Sequence, residues 1–171
     1  MGIKSGAPRG PVTRSTSHRK KAGNTTASPR LLLVGRNSSV RRFADFGALP
    51  SADREAAIKG GLPATFLDEA IAKLGLTRSE LLEGLGIASS TAARVKKDQK
   101  RFSPDDSERL ARLARLWHEV FQIYETDEGT RGWLTSPVPS VGGIPVAMLA
   151  TGEGFERAQR SIMQLAYGVF A

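Results

Sequence analysis

Cysteine is absent from this 171-residue chain, and histidine occurs only twice, at His18 and His118. The lack of thiols excludes disulfides, thiolate metal sites and cysteine nucleophiles, and it fits the cytoplasm, where we expect the protein. Two distant histidines do not form a histidine-based metal site, so we predict no metal and no cofactor. No apolar run approaches the length needed to span a bilayer, and we predict no membrane partner.

Acidic residues are missing from the first 44 positions, which hold ten lysines and arginines. The rest of the chain holds 15 basic and 17 acidic residues, so the formal net charge of +8 comes from the N-terminal segment. Residues 1–45 are therefore predicted to form a basic, disordered arm. Three interpretations of this arm are open. It is a solvated tail, it results from a mis-assigned start of the reading frame, or it binds nucleic acid non-specifically through phosphates. Within it, Leu31–Val34 is either a short strand or a segment that docks on the core.

Motifs for catalysis are also missing. The sequence contains no nucleophile with an adjacent base, no carboxylate pair in a glycine-rich pocket and no phosphate-binding loop. We therefore predict that the protein is not an enzyme, has no catalytic residues and takes no small-molecule substrate.

Helical signals dominate the remaining sequence and predict an all-α fold. Ser103 followed by Pro104 is a strong helix start, because serine caps the helix and proline fits its first turn. Predicted helices cover residues 51–59, 64–74, about 77–85, 89–97, 103–124, 127–134 and about 155–167, with a single helical turn beginning at residue 145. In the last helix, the residues predicted to face inward are Phe155, Ala158, Ile162, Leu165 and Ala166.

The stretch from Thr77 to Lys96 has the pattern of a helix-turn-helix. Thr77 and Glu80 have the spacing of a capping box at the start of the first helix. Gly86 is the predicted left-handed position at the turn. A second short helix follows from Ser89 to about residue 97, with Ile87, Ala92 and Val95 facing inward.

Polar and basic side chains lie on the outward face of this second helix. Hydroxyls and cations suit base edges and phosphates, although an ordinary corner between two helices would look similar. The predicted DNA-contacting residues are Arg78, Ser89, Ser90, Thr91, Arg94 and Lys97. Over about twenty residues the stretch resembles the Xre (lambda-repressor-like) helix-turn-helix family. It departs from that family at Ala88, where Ser or Thr usually caps the recognition helix, and we predict that Ser89 caps instead.

The second half carries several separate motifs in a fixed order. They are S-P-D-D-S-E-R-L-A-R-L-A-R-L from Ser103, W-L at Trp133, P-x-P-x-x-G-G-x-P-x-x-M-L over 137–149, and Y-G-V at Tyr167. Across about residues 60–171 the chain resembles the ParS/MbcA/Xre-type antitoxin family, whose members accompany RES-domain toxins. This resemblance implies a helix-turn-helix domain over residues 50–102 and a helical toxin-binding and dimerisation domain over residues 103–171.

The resemblance also implies partners. These are a RES-domain toxin that degrades NAD or transfers ADP-ribose, a second copy of the chain, and operator DNA for autoregulation. By resemblance, the toxin-binding residues are Trp133, Gly142, Gly143, Tyr167, Gly168, Val169, Phe170 and Ala171. Other interpretations stay open: Trp133 as a core aromatic, Gly142 and Gly143 as a simple turn, and the C-terminal residues as a cover for the core or dimer. The alternative function is a stand-alone transcriptional regulator without a toxin partner.

Overall fold

The computed structural model describes residues 42–168, so the predicted arm up to residue 41, Leu31–Val34 and residues 169–171 lie outside it. The described chain is all-α, as predicted. Its helices are α1 Phe43–Phe46, α2 Ser51–Lys59, α3 Ala64–Leu74, α4 Arg78–Leu85, α5 Ser89–Lys97, α6 Pro104–Tyr124, α7 Asp127–Thr135 and α8 Gly152–Tyr167, with a 3₁₀ turn at Pro145–Met148. In this part of the chain, no helix is long and apolar enough to cross a bilayer.

Helix α1 corrects the end of the predicted arm, which we placed at residue 45. Phe43 and Phe46 are fully buried, and their rings pack edge-on against Phe66 of α3 at centroid distances of 5.6 and 5.3 Å. The Phe43 N–H also donates a hydrogen bond to the Glu69 carboxylate at 2.8 Å. The arm therefore ends before two aromatic residues that belong to the core.

The long helix α6 is the centre of the packing. It contacts α1, α2, α3, α7 and α8, and the buried side chains of the described residues form one continuous core. Its start is as predicted, because the Ser103 hydroxyl accepts a hydrogen bond from the Asp106 N–H at 3.1 Å and Pro104 opens the helix. Along its apolar side, Leu110, Leu113, Trp117 and Val120 are buried, Phe121 is half-buried and Tyr124 is exposed.

Helix α8 begins at Gly152, three residues before the predicted start at Phe155. The reason is a cap that we did not identify from the sequence. The Thr151 hydroxyl accepts a hydrogen bond from the Gly154 N–H at 3.1 Å, which satisfies one of the free donors of the first turn. Two glycines therefore lie inside the helix rather than before it.

Candidate nucleic-acid and partner interfaces

A capping box holds the start of α4. The Thr77 hydroxyl accepts a hydrogen bond from the Glu80 N–H at 3.3 Å, and the Glu80 carboxylate accepts one from the Thr77 N–H at 2.7 Å. The same carboxylate accepts a hydrogen bond from the Thr77 hydroxyl at 2.7 Å. These hydrogen bonds, from the hydroxyl first and then the N–H, lower the pKa of Glu80 because they favour its ionised form. The predicted capping box is confirmed.

Gly86 closes the turn between α4 and α5, with a φ of 65°. The Ile87 N–H donates to the Leu82 carbonyl at 2.9 Å and the Gly86 N–H donates to the Glu83 carbonyl at 3.0 Å, which is the pattern of a Schellman turn. Only glycine adopts this left-handed backbone without a Cβ penalty, as the sequence predicted. The Arg109 guanidinium on α6 donates to the Gly86 carbonyl and fixes the turn against the long helix.

Helix α5 begins without a side-chain cap. Ala88 occupies the N-cap position, with an extended backbone and no side-chain hydrogen bond. The prediction that Ser89 caps the helix is wrong, because Ser89 is already its first helical residue. Ile87, Ala92 and Val95 are buried as predicted. The apolar face of α5 therefore fixes its orientation, and the missing cap does not shift its start.

The predicted DNA-contacting side chains of α5 lie at the surface. Ser89, Ser90, Arg94 and Lys97 are exposed, and Thr91 is half-buried. The helix contains no acidic residue, and its last turn carries a further cation, Lys96, which our sequence analysis did not single out. The structure thus gives α5 a polar and basic outer face, of the kind that suits base edges and phosphates.

Arg78 is less available than predicted. Its guanidinium pairs with the Asp68 carboxylate on α3 at 3.4 Å, and its Nη2 atom is buried. The same carboxylate pairs with Lys96 at 3.0 Å. Asp68 therefore neutralises one cation at the start of α4 and one on α5, and a phosphate contact by Arg78 would compete with this pair.

Three of the residues predicted to contact a toxin lie in the core or in a turn. Trp133 is only 9% exposed and belongs to the core, as in its alternative interpretation. Gly142 and Gly143 lie in a tight turn, where the Val138 N–H donates to the Gly143 carbonyl at 2.9 Å and the Gly142 N–H donates back to the Val138 carbonyl at 3.0 Å. The burial of Trp133 leaves little of its ring for a partner.

The C-terminal part of α8 extends past the core. Phe155, Ala158 and Ile162 are buried as predicted, but Leu165 is 37% exposed and Ala166 is exposed as well. The prediction that these last two face inward is therefore wrong. The helical spacing does place Leu165 on the buried stripe, yet none of the described elements covers that stripe beyond Ile162.

Other apolar side chains are exposed at the same place. Met163 is 52% exposed and Tyr167 is 72% exposed. We call the segment Met163–Tyr167 the α8 end. Gly168 follows it with a φ of 63° and terminates the helix, which was predicted to end at about residue 167. Of the predicted toxin-binding residues, Val169, Phe170 and Ala171 lie outside the described part of the chain.

Helix α4 packs directly on the 3₁₀ turn. A Cβ atom on Gly84 would lie 2.9 Å from the Val146 carbonyl oxygen and 3.3 Å from the Ala147 Cα. Glycine is therefore needed for this close approach of two backbones. The predicted DNA-binding helices and the segment between Pro137 and Leu149 thus share a direct contact, although their predicted binding residues do not meet in one site.

Two acidic side chains serve an ion pair and a helix cap. Asp127 pairs with Lys73, and Asp106 accepts a hydrogen bond from the Ser103 hydroxyl at 2.9 Å. Over residues 42–168, no group of three or more His, Cys, Asp or Glu side chains is arranged to hold a metal ion.

Known proteins resemble this chain over most of its length. Residues 53–115 match the model of the antitoxin Xre-like helix-turn-helix domain. These residues span α3 to α5, with most of α2 and the first half of α6.

Three curated proteins align over a longer stretch. The chain is 30% identical over 129 residues to the Prs ADP-ribosylating antitoxin of Sphingobium sp. (strain YBL2), covering 70% of this chain and 81% of that protein. It is 28% identical to the antitoxin Xre of Yersinia enterocolitica (serotype O:8, biotype 1B) and 24% identical to that of Photorhabdus laumondii subsp. laumondii. Both of these alignments cover 116 residues, 67% of this chain and 78% of the relative.

Proposed function

Because the chain belongs to the Xre-type antitoxin family, we propose that this antitoxin binds a RES-domain toxin and blocks its active site. The toxin is proposed to act on NAD, either degrading it or transferring its ADP-ribose. The name of the Sphingobium relative supports this substrate, since it refers to ADP-ribosylation. Transfer of ADP-ribose consumes NAD as the donor.

The α8 end is the observation that carries the proposal. It exposes three apolar side chains where the buried stripe of α8 leaves the core. Helix geometry places Met163 and Tyr167 on one side and Leu165 on the other. Tyrosine and methionine are enriched in protein interfaces, so the side of α8 that carries Met163 and Tyr167 suits a surface that a partner covers. A homodimer alone would cover the stripe at Leu165, so the exposed Tyr167 on the other side of the helix is the part that favours a toxin partner. The apolar residues Val169 and Phe170 continue the sequence directly beyond it.

We propose that two partners share this region. The stripe that Leu165 continues would pack against a second copy of the chain, which gives the homodimer. Tyr167, Gly168 and the residues after them would enter the cleft of the toxin.

Replacing Tyr167 with serine is expected to weaken the toxin complex about 30-fold or more, because an aromatic side chain at an interface centre contributes about 2 kcal/mol or more. The melting temperature should not change, since Tyr167 is 72% exposed. Titration calorimetry with the purified toxin measures the affinity, and NAD levels in toxin-expressing cells measure protection.

Two further variants make this test specific. Leu165→Ser should lower the dimer fraction in light scattering, whereas Tyr167→Ser should leave it unchanged. Tyr124→Ser is the matched control, because Tyr124 on α6 is 38% exposed and lies outside the α8 end. If Tyr167→Ser and removal of residues 168–171 both leave toxin binding intact, blocking by this end of the chain is excluded.

We also propose that the antitoxin represses its own operon through α5. Arg94→Ala is expected to cost about 1–3 kcal/mol of binding to the DNA upstream of its reading frame, with relaxed specificity at one position. The physical reason is the loss of the exposed guanidinium on the outer face of α5, which suits a guanine edge or a phosphate. A mobility-shift assay measures this affinity.

The control for Arg94 is Arg160→Ala, which removes an exposed arginine from α8. Both variants lose one positive charge, so a general electrostatic effect would lower binding by both. Equal binding by Arg94→Ala and the unmodified protein would refute the assignment of α5 as the reading helix.

A further inference from the structure

The end of α5 has an unusual backbone. The Lys100 N–H donates to the Val95 carbonyl at 3.0 Å and the Gln99 N–H donates to the Lys96 carbonyl at 3.4 Å, which is again a Schellman pattern. Here the left-handed position is Gln99, with a φ of 50°, where glycine is usual. A left-handed backbone is costly for a residue with a Cβ atom. The surrounding structure therefore holds the chain in this turn.

The following residues are fixed on the body of the protein. Phe102 is buried, and its N–H donates to the Leu62 carbonyl at 2.9 Å. The Arg101 guanidinium donates to the Gly61 carbonyl at 2.7 Å. Lys100, between the turn and this attachment, keeps an exposed side chain whose ion-pair partner is Asp98 at 3.4 Å. An exposed pair of this kind is weak and exchanges readily for another anion.

These residues form a basic notch beside the outer face of α5. A cavity of about 470 Å³ is lined by Thr91, Arg94, Val95, Lys100, Arg101, Ser103 and Asp106. It has three cations and one carboxylate. The carboxylate of Asp106 is already engaged, because it accepts a hydrogen bond from the Ser103 hydroxyl and pairs with Arg109 at 3.7 Å. The lining of the notch therefore has more positive than negative charge, even with the exposed pair between Lys100 and Asp98 taken into account.

We propose that this notch binds a backbone phosphate of DNA, with Lys100 as a phosphate contact that lies beyond the end of the recognition helix. The inference rests on the proposed binding of DNA by α5. Arg94 connects the two, since it lines the notch and lies on the outer face of α5. A DNA strand that passes α5 would place a phosphate beside Lys100 and Arg101. This contact would fix the position of α5 on the duplex without reading sequence.

The test is the salt dependence of binding by Lys100→Gln, on the upstream DNA and on an unrelated duplex. Loss of one phosphate contact should lower the slope of log K against log salt by about 0.9, equally on both duplexes. Lys59→Gln is the control, because Lys59 is an exposed lysine on α2 outside the notch. It should leave the slope unchanged. Arg101 is left intact, since its replacement would break the hydrogen bond to Gly61.

Gln99→Gly provides a second control. It removes the costly left-handed residue but keeps both cations, so it should raise the melting temperature by about 2–4 °C and leave the slope unchanged. If the unmodified protein binds DNA and Lys100→Gln has the same salt slope as the unmodified protein, the notch is not a phosphate site. The proposed binding of operator DNA by α5 would be unaffected by that result. A slope lowered equally by Gln99→Gly would also overturn the proposal. If the unmodified protein binds neither duplex, the proposed operator function fails as well.

Discussion

Phe43→Ala is expected to lower the free energy of unfolding by about 3–5 kcal/mol, the usual cost of removing a buried phenylalanine. The Phe43 ring is fully buried, and its centroid lies 5.6 Å from that of Phe66 and 5.8 Å from that of Trp117. Its removal would leave a cavity between α3 and α6. Urea denaturation followed by circular dichroism measures the change. Arg42→Gln, at the exposed neighbouring position, should change stability by no more than about 0.5 kcal/mol.

A pair of truncations tests the same boundary. Removal of residues 1–41 should leave the melting temperature nearly unchanged, because α1 is kept. Removal of residues 1–46 should lower it strongly, because both phenylalanines of α1 are lost. If the two truncated proteins melt at the same temperature, α1 does not contribute to stability and the arm extends to residue 46.

Gly154→Ala is expected to destabilise the protein by about 3 kcal/mol, at the upper end of the range for overpacking. A Cβ atom on Gly154 would lie 2.0 Å from the Met148 carbonyl oxygen and 2.9 Å from its carbonyl carbon. These are backbone atoms of the 3₁₀ turn, so they cannot move aside as the end of a flexible side chain can. The start of α8 would have to move away from the turn.

Gly152→Ala is the matched control, two residues earlier in the same helix. No atom lies within 4 Å of a Cβ built there. Alanine favours a helix more than glycine does, so this variant should be neutral or more stable by up to about 1 kcal/mol. Differential scanning calorimetry of the two variants compares them directly. Equal melting temperatures would show that the packing of α8 on the 3₁₀ turn tolerates a methyl group.

Several helix bounds were predictable from neighbouring residues, because α2 and α3 each follow a proline and end before a glycine, and Ser103 caps α6. The predicted ranges for α2 and α3 agree with the structure, and the start and end of α6 agree as well. In these cases each boundary depends on residues within one turn of it. Residues beside a helix end then determine where the helix begins or ends, and these residues can be identified in the sequence.

The errors arose where tertiary contacts, and not neighbouring residues, determine burial or the start of a helix. Phe43 follows a basic segment, and only the space between α3 and α6 makes it a core residue. Ala88 has no capping group, so its position as N-cap follows from the packing of α5 through Ala92 and Val95. Leu165 has the spacing of a buried residue, but helix periodicity predicts a face and says nothing about how far the neighbouring elements extend.

For the same reason, some features of the candidate sites could be predicted from the sequence and others could not. Outward positions on α5 follow from helix periodicity, and the structure places Arg94 and Lys97 at the surface. The basic notch could not be predicted, because it depends on a left-handed turn at a glutamine. Nor could the ion pair between Arg78 and Asp68, since ten residues and a helix boundary separate them.

The close packing at Gly84 has a consequence for engineering. A graft that replaces all of residues 77–97 with the equivalent segment of another protein would need glycine at this position, or α4 would be forced off the 3₁₀ turn. By contrast, Ser90, Arg94 and Lys97 are exposed, and the atoms nearest a Cβ on Gly84 belong to Val146 and Ala147 instead. New operator preferences should therefore be obtained by point substitution on the α5 surface, with the scaffold left unchanged.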